Sequence, residues 1–201
     1  MNVARHEMCT WEPYLSLSPV TSDQEIVEGL KQGSNAAFRA LYSEHGKGIL
    51  SYLTRLIGRK EMAEELTQET FLTAIRKIGF FRSGPDGGLK AWVFRIATNL
   101  VIDSLRREKR MELASRDGDI LGENISDDRP NPSEIIERFD FSEALASALS
   151  ELTPAQRMIF LLKEQEEMSL LEISRVCGSS ENSIKQSLFR ARTALRKKLC
   201  E

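Results

Sequence analysis

The sequence predicts an all-α protein made of two small helical domains joined by a flexible acidic linker. Three observations lead there. Apolar residues recur at three- and four-residue spacing in segments bounded by Ser or Thr caps and Gly stops, and strand-like alternation is sparse. Residues 112–138, poor in apolar side chains and rich in Asp, Glu, Gly and Pro, separate two such helical stretches. A hydrophobic fraction of 41% over 201 residues suffices for two modest cores and is too high for a disordered chain.

Residues 1–21 read as a disordered N-terminal extension or an overlong start. The first domain spans residues 22–111. Ser22 caps a helix Asp23–Gln32, with Glu25 completing a capping box and Gly33 ending it. Asn35 opens a longer helix carrying Phe38, Leu41 and Tyr42; it is interrupted near Gly46–Gly48 and resumes through Ile49, Leu53, Leu56 and Ile57 to Gly58. A third helix covers Lys60–Ile78. Ser83-Gly84-Pro85-Asp86-Gly87-Gly88 is a loop, and a long helix follows from Leu89 to Met111. The linker, residues 112–138, holds Asp117, Asp119, Glu123, Asp127, Asp128, Glu134 and Glu137. On its residues alone it is a solubilising tether. The second domain spans residues 139–201. Its first helix covers Phe139–Leu149. Its second starts at Thr153-Pro154, a cap followed by Pro in the first helical position. Ser169 caps the third, with Glu172 closing a capping box and Gly178 as the stop. Ser179 or Ser180 caps the last helix.

The formal net charge is −2, so this is no uniformly basic nucleic-acid binder, and the distribution of charge carries the information. Cys9, Cys177 and Cys200 are far apart and show no CxxC pairing, so neither a disulfide framework nor a zinc knuckle is expected, and a reducing compartment fits. His6 and Cys9 have ligand spacing but lack a second ligand pair; no metal or cofactor is expected. No apolar run reaches the ~18–20 residues of a membrane span, and the first twenty residues lack a signal peptide's apolar core. The expectation is a cytoplasmic protein without membrane insertion.

The stretch Ser169–Arg196 has the pattern of a helix-turn-helix. Its second helix places Ile184, Leu188, Ala191, Leu195 and Leu199 on one apolar stripe, and the other faces carry Lys185, Gln186, Arg190, Arg192, Arg196, Lys197 and Lys198. At its start Ser180, Asn182, Ser183, Lys185 and Gln186 can reach base edges in a major groove, with Ser179 and Glu181 beside them in the candidate DNA-binding set. Arg190, Arg192 and Lys197 are better placed for phosphates. Against this stands an ordinary basic, solvated helix of a bundle, and Phe189, off the core stripe, is open between a neighbouring helix and DNA.

In the first domain, the helix from Leu89 sets Val93, Ile96, Ala97, Leu100 and Ser104 against Trp92, Arg95, Asn99, Asp103, Arg106 and Arg110. An aromatic, an amide and guanidiniums on one face suit an unpaired base and a single-strand backbone. The polar company of Trp92 argues for partial exposure over a core role. Phe80, Phe81 and Arg82 lead into the glycine-rich loop and suit either a flipped-base pocket or a hydrophobic staple. In the helix Lys60–Ile78, Met62, Ala63, Leu66, Thr70, Ala74 and Ile78 are expected inside, while Glu61, Glu65, Gln68 and Leu72 share an outer face. That face is either solvated or a protein-binding surface.

Three segments in order resemble the extracytoplasmic-function (ECF) family of RNA polymerase sigma factors. Ala63–Phe71, with Glu64, Glu65, Gln68, Glu69 and Phe71, resembles the family's core-polymerase-binding motif. Lys90–Arg107 is similar to its promoter-melting, −10-reading helix. Leu152–Arg157 and Glu172–Arg192 are similar to its −35-reading domain. The resemblance covers residues 23–201; Glu65 stands where the family usually has Asp, Thr67 where an apolar residue is common, and the first twenty residues have no counterpart. It implies that Glu61, Glu64, Glu65, Gln68, Glu69, Phe71 and Leu72 dock on core polymerase, at the β′ clamp and β subunit. It implies that Phe80, Phe81, Arg82, Lys90, Trp92, Arg95, Asn99, Asp103, Arg106, Arg107 and Arg110 hold the melted −10 strand. It further implies a linker threading towards the active centre, melting without ATP, and an anti-sigma partner.

Two other classes fit less of the chain. A dimeric helix-turn-helix regulator accounts for residues 139–201 but leaves the acidic stripe and the aromatic-basic helix idle. An enzyme such as a recombinase needs a nucleophile or metal cluster, and the sequence holds no P-loop, HExxH or GxSxG motif. The chain is therefore expected not to be an enzyme.

Overall fold

The computed structural model describes residues 22–82, 84, 88–116 and 143–199. The N-terminal extension with His6 and Cys9, most of the glycine-rich loop, the acidic run from Asp117, the expected helix start at Phe139, and Cys200 lie outside the described residues. Eight α-helices make up the described fold: α1 (Asp23–Lys31), α2 (Asn35–Ile57), α3 (Lys60–Lys77), α4 (Leu89–Arg116), α5 (Glu143–Ser150), α6 (Pro154–Glu164), α7 (Leu170–Cys177) and α8 (Glu181–Leu199). A short 3₁₀ turn, Ile78–Phe80, follows α3.

Local chemistry accounts for the helix starts. Ser22 with Glu25, Thr153 with Gln156 and Ser169 with Glu172 each form a capping box, with the hydroxyl accepting from the third helical amide and the side chain there accepting from the cap. The Ser180 hydroxyl accepts from Ser183 N at 3.3 Å, which makes Ser180 the cap of α8. Gly178 ends α7 at φ 63°, in the left-handed region, and so turns the chain sharply into α8.

Two expectations about helix length and continuity need correction. The helix expected to break at Gly46–Gly48 runs unbroken through it. Each glycine there serves a close approach: a Cβ on Gly46 would sit 3.4 Å from the Tyr42 ring, and one on Gly48 would sit 3.1 Å from the Glu166 carboxylate. Packing outweighs the ~1 kcal/mol cost of each helical glycine. The long helix expected to end at Met111 continues to Arg116.

In the first region α1, α2, α3 and α4 enclose Ile26, Leu41, Ile49, Leu53, Ala63, Phe71, Leu89 and Val93. The inner face of α3 differs in part from expectation. Ala63, Thr70 and Ala74 are buried as expected, but Met62 and Leu66 are only half-buried, while Thr67, Phe71 and Thr73 are buried as well. Thr67 and Thr70 satisfy their hydroxyls on the carbonyls of Ala63 and Leu66, at 2.7 and 2.6 Å. In the second region the α8 stripe Ile184, Leu188, Ala191 and Leu195 is buried against α5, α6 and α7. The two regions also pack on each other, α6 on α2 and α7 on α4. Thus α4 buries more than its expected stripe: Phe94, Thr98 and Val101 are within 1% of full burial. Thr98 pairs with the Tyr52 hydroxyl at 3.0 Å, and the Phe94 ring lies 5.5 Å from that of Tyr52. Burial pushes the Tyr52 phenol far above its usual range and raises the Cys177 thiol to about 12, so neither ionises near neutrality.

Candidate polymerase and nucleic-acid interfaces

Three exposed surfaces of different chemistry lie on α3, α4 and α8. On α3, Glu61, Glu65, Gln68 and Leu72 face solvent on one stripe, and Ile75 extends it. Leu72 is 51% exposed. An uncovered leucine beside carboxylates and an amide is what a protein-docking surface requires, an apolar centre with a polar rim. Ile75 goes beyond the residues expected on this face, although its i+3 spacing from Leu72 marks it in the sequence. Glu64 is exposed, with its carboxylate 4.0 Å from Lys60. Glu69 is turned to its own helix, bound by the Arg76 guanidinium and the Thr73 hydroxyl, which hold its carboxyl below the usual range. Phe71 is only 2% exposed and packs against the Tyr42 ring at 4.9 Å. It shapes the surface from beneath.

On α4, Arg95, Asn99, Asp103, Arg106, Arg107 and Arg110 are exposed, and Lys90 and Trp92 are half-buried. The two adjacent phenylalanines before the loop part company. Phe80 is 83% exposed, whereas Phe81 is 7% exposed and meets Trp92 edge-on at 5.3 Å. Phe81 therefore props Trp92, and of the two phenylalanines Phe80 presents its ring to solvent. Arg82 is exposed beside them. Asp23 of α1 accepts from Leu89 N at 2.9 Å and so fixes the start of α4. Arg106 pairs loosely with Asp103 at 3.8 Å.

On α8, Ser180, Glu181, Asn182, Ser183, Lys185, Gln186, Arg190 and Arg192 are exposed, and Ser179 is half-buried in the turn. Asn182, Gln186, Phe189, Thr193 and Lys197 cluster opposite the buried stripe. Phe189 is 73% exposed, so no helix among the described residues covers it; it sits amid exposed polar residues. Arg192 is engaged by Glu164 of α6 at 2.6 Å, which orients its guanidinium. A capped helix start, amides and hydroxyls first and cations behind, is the order in which a recognition helix meets base edges and then phosphates.

Comparison with known proteins accounts for the combination. Residues 41–111 match the model of Sigma-70 region 2, and residues 142–195 match that of Sigma-70, region 4. SigM of Bacillus subtilis, an ECF RNA polymerase sigma factor, is 30% identical over 156 residues, covering 78% of this chain and 91% of that protein. The chain belongs to the ECF family of RNA polymerase sigma factors. BldN of Streptomyces coelicolor, another ECF sigma factor, is 36% identical over 168 residues, 83% of this chain; the chain spans 62% of that relative's length. The fold is shared with the sigma factor RpoE of Bartonella quintana, solved with the anti-sigma factor NepR, at TM-score 0.65 and 24% identity, covering 81% of this chain and 96% of that one. It is shared with CnrH, solved with the cytosolic domain of CnrY, at TM-score 0.62 and 24% identity, covering 88% and 96%. As an ECF sigma factor the chain acts in promoter recognition and transcription initiation, with region 2 matched over residues 41–111 and region 4 over residues 142–195. Among the described residues no helix is long and apolar enough to cross a membrane.

Proposed function

We propose that the three surfaces divide the work of initiation. The α3 stripe, Glu61, Glu64, Glu65, Gln68, Leu72 and Ile75, docks on the β′ clamp of core polymerase. Phe80 and Trp92 take unpaired bases of the −10 strand, with Arg95, Asn99, Arg106, Arg107 and Arg110 along its backbone. The start of α8, Ser180 to Gln186, reads the −35 duplex in the major groove, Phe189 supplies an apolar contact of the kind a thymine methyl accepts, and Arg190 and Arg192 hold phosphates. The observation that carries this reading is the separation of chemistry among three exposed faces: acidic-apolar, aromatic-cationic, and amide-cationic. Opening the duplex then needs no ATP, because contacts to the unpaired strand offset an unpairing cost of a few kcal/mol. The domains are residues 22–111 and 139–201, joined by the acidic segment 112–138. The proposal includes a cytoplasmic location, an anti-sigma partner and no catalytic role.

Run-off transcription with bacterial core polymerase on genomic fragments tests it. Discrete new transcripts are expected with the wild type and their loss with Gln68→Ala. Transcripts unaffected by Gln68→Ala would remove α3 from the polymerase interface. Sequence-specific duplex binding without transcripts would favour a polymerase-independent regulator.

A further inference from the structure

We infer that Arg76 masks Glu69 in the free chain, so that a basic partner of the α3 face competes with an intramolecular cation for the last carboxylate of that face. The inference deepens the polymerase-docking reading proposed above and rests on it. Spacing places Arg76 on the docking face. Glu65, Glu69, Leu72 and Arg76 follow one another at i, i+4, i+7 and i+11, so Arg76 lies beside the exposed leucine at the centre of the stripe. Helical side chains lean towards the N-terminus of their helix, and Arg76 accordingly reaches back two turns to pair with Glu69.

The four carboxylates of the face are not alike. Among the described residues no ion pair or hydrogen bond engages the carboxylates of Glu61 or Glu65. Glu64 stands 4.0 Å from Lys60, too far for a hydrogen bond. Glu69 is the one held in a closed ring. A single terminal nitrogen of Arg76 donates to Glu69 Oε1 and, at 2.7 Å, to the Thr73 hydroxyl, which itself donates to Glu69 Oε1 at 3.1 Å. Thr73 is buried, so its hydroxyl anchors the ring to the body of the helix.

Two effects of this ring act in the same direction. A carboxylate already bonded to a guanidinium and a hydroxyl gives up those contacts before it accepts new ones, which cancels much of what a partner's cation would gain there. The Arg76 cation beside Leu72 also opposes the cations that an acidic face attracts. Arg76 is thus a specificity-determining residue whose removal strengthens docking. Its remaining role, as a cation in the last turn of α3 next to Lys77, complements the helix dipole only modestly. The ring keeps Glu69 for a partner that presents its own cation at that point, and disfavours one that is merely basic.

Fluorescence anisotropy of the full chain, labelled at its N-terminus and titrated with bacterial core polymerase, tests this. Arg76→Gln, which keeps a good helix former in place, is expected to bind about threefold more tightly than wild type at low salt, with the gain shrinking as salt is raised. Adding Glu69→Gln to that variant is expected to remove the gain, because the unmasked carboxylate is then gone. Lys77→Gln removes the same charge from the neighbouring residue, off the stripe, and is expected to bind as wild type does. Damage to the helix can only weaken binding, so a gain is no side effect of lost stability. Unchanged or weaker binding by Arg76→Gln, a gain that survives Glu69→Gln, or an equal gain with Lys77→Gln would each overturn the inference. Gln68→Ala measured alongside separates the two readings. Weakened binding there without a gain from Arg76→Gln overturns the masking alone, whereas Gln68→Ala binding like wild type removes α3 from the interface and both readings with it.

Discussion

The pair Phe80 and Phe81 shows what single residues decide. Both were readable as promoter contacts, since two aromatics before a glycine-rich loop carry no sign of which points inward. The 3₁₀ turn after α3 decides it, exposing Phe80 and burying Phe81 under Trp92. Substitution is therefore expected to separate them. Phe81→Ala should cost about 3 kcal/mol of stability in urea unfolding, whereas Phe80→Ala should stay within about 0.5 kcal/mol of wild type and lose transcription at least tenfold. Equal losses of stability would show that Phe80 is part of the core. Phe189 is the converse case. Its position off the stripe is visible in the sequence, but only the packing of α8 against α5, α6 and α7 shows that no helix among the described residues covers it.

At the scale of elements, the caps were the most legible feature. Ser22-x-x-Glu25 and Ser169-x-x-Glu172 are local patterns whose geometry depends on four consecutive residues, so tertiary context has little to override. Burial opposes ionisation of Glu172, but hydrogen bonds from the Ser169 hydroxyl and amide outweigh it and hold the carboxyl below its usual value. The stabilisation is thus present above the unfolded pKa, near 4.3, and lost as pH falls through the lower folded value. Glu172→Gln should cost about 1 kcal/mol at pH 7, and the difference from wild type should shrink below pH 4 in thermal melts. A constant difference across that range would assign the loss to packing. What the sequence did not show was continuity in α2 and the second buried face of α4. Gly46 and Gly48 look like breakers until Tyr42 and Glu166 are known to lie against them. Phe94, Thr98 and Val101 fall outside the first apolar stripe because they meet elements distant in sequence. On α8, Gln186→Ala is expected to cost ~1–3 kcal/mol of duplex affinity and relax preference at one base position, whereas Arg190→Ala should weaken binding evenly and reduce the salt slope by about 1. Both readouts come from binding isotherms at several salt concentrations.

At the scale of the whole molecule, a net charge of −2 conceals opposed surfaces: carboxylates on α3, cations on α4 and α8. The two-region plan was legible from the acidic run between helical stretches, but the contact between regions was not. Lys90 and Glu166 are 76 residues apart, and nothing local marks them as partners. On the proposed division of labour, α4 holds the melted strand while α8 reads duplex, two separable tasks in one chain. The most direct test is promoter melting by holoenzyme, followed with 2-aminopurine in the −10 element of a promoter recovered by run-off transcription. Trp92→Ala should retain −35-dependent binding and lose the melting signal, while Gln186→Ala should weaken binding to the intact promoter but leave binding to a single-stranded −10 oligonucleotide unchanged. If Trp92→Ala melts the promoter as well as wild type does, or if both variants lose the same step, the division of labour between α4 and α8 is contradicted.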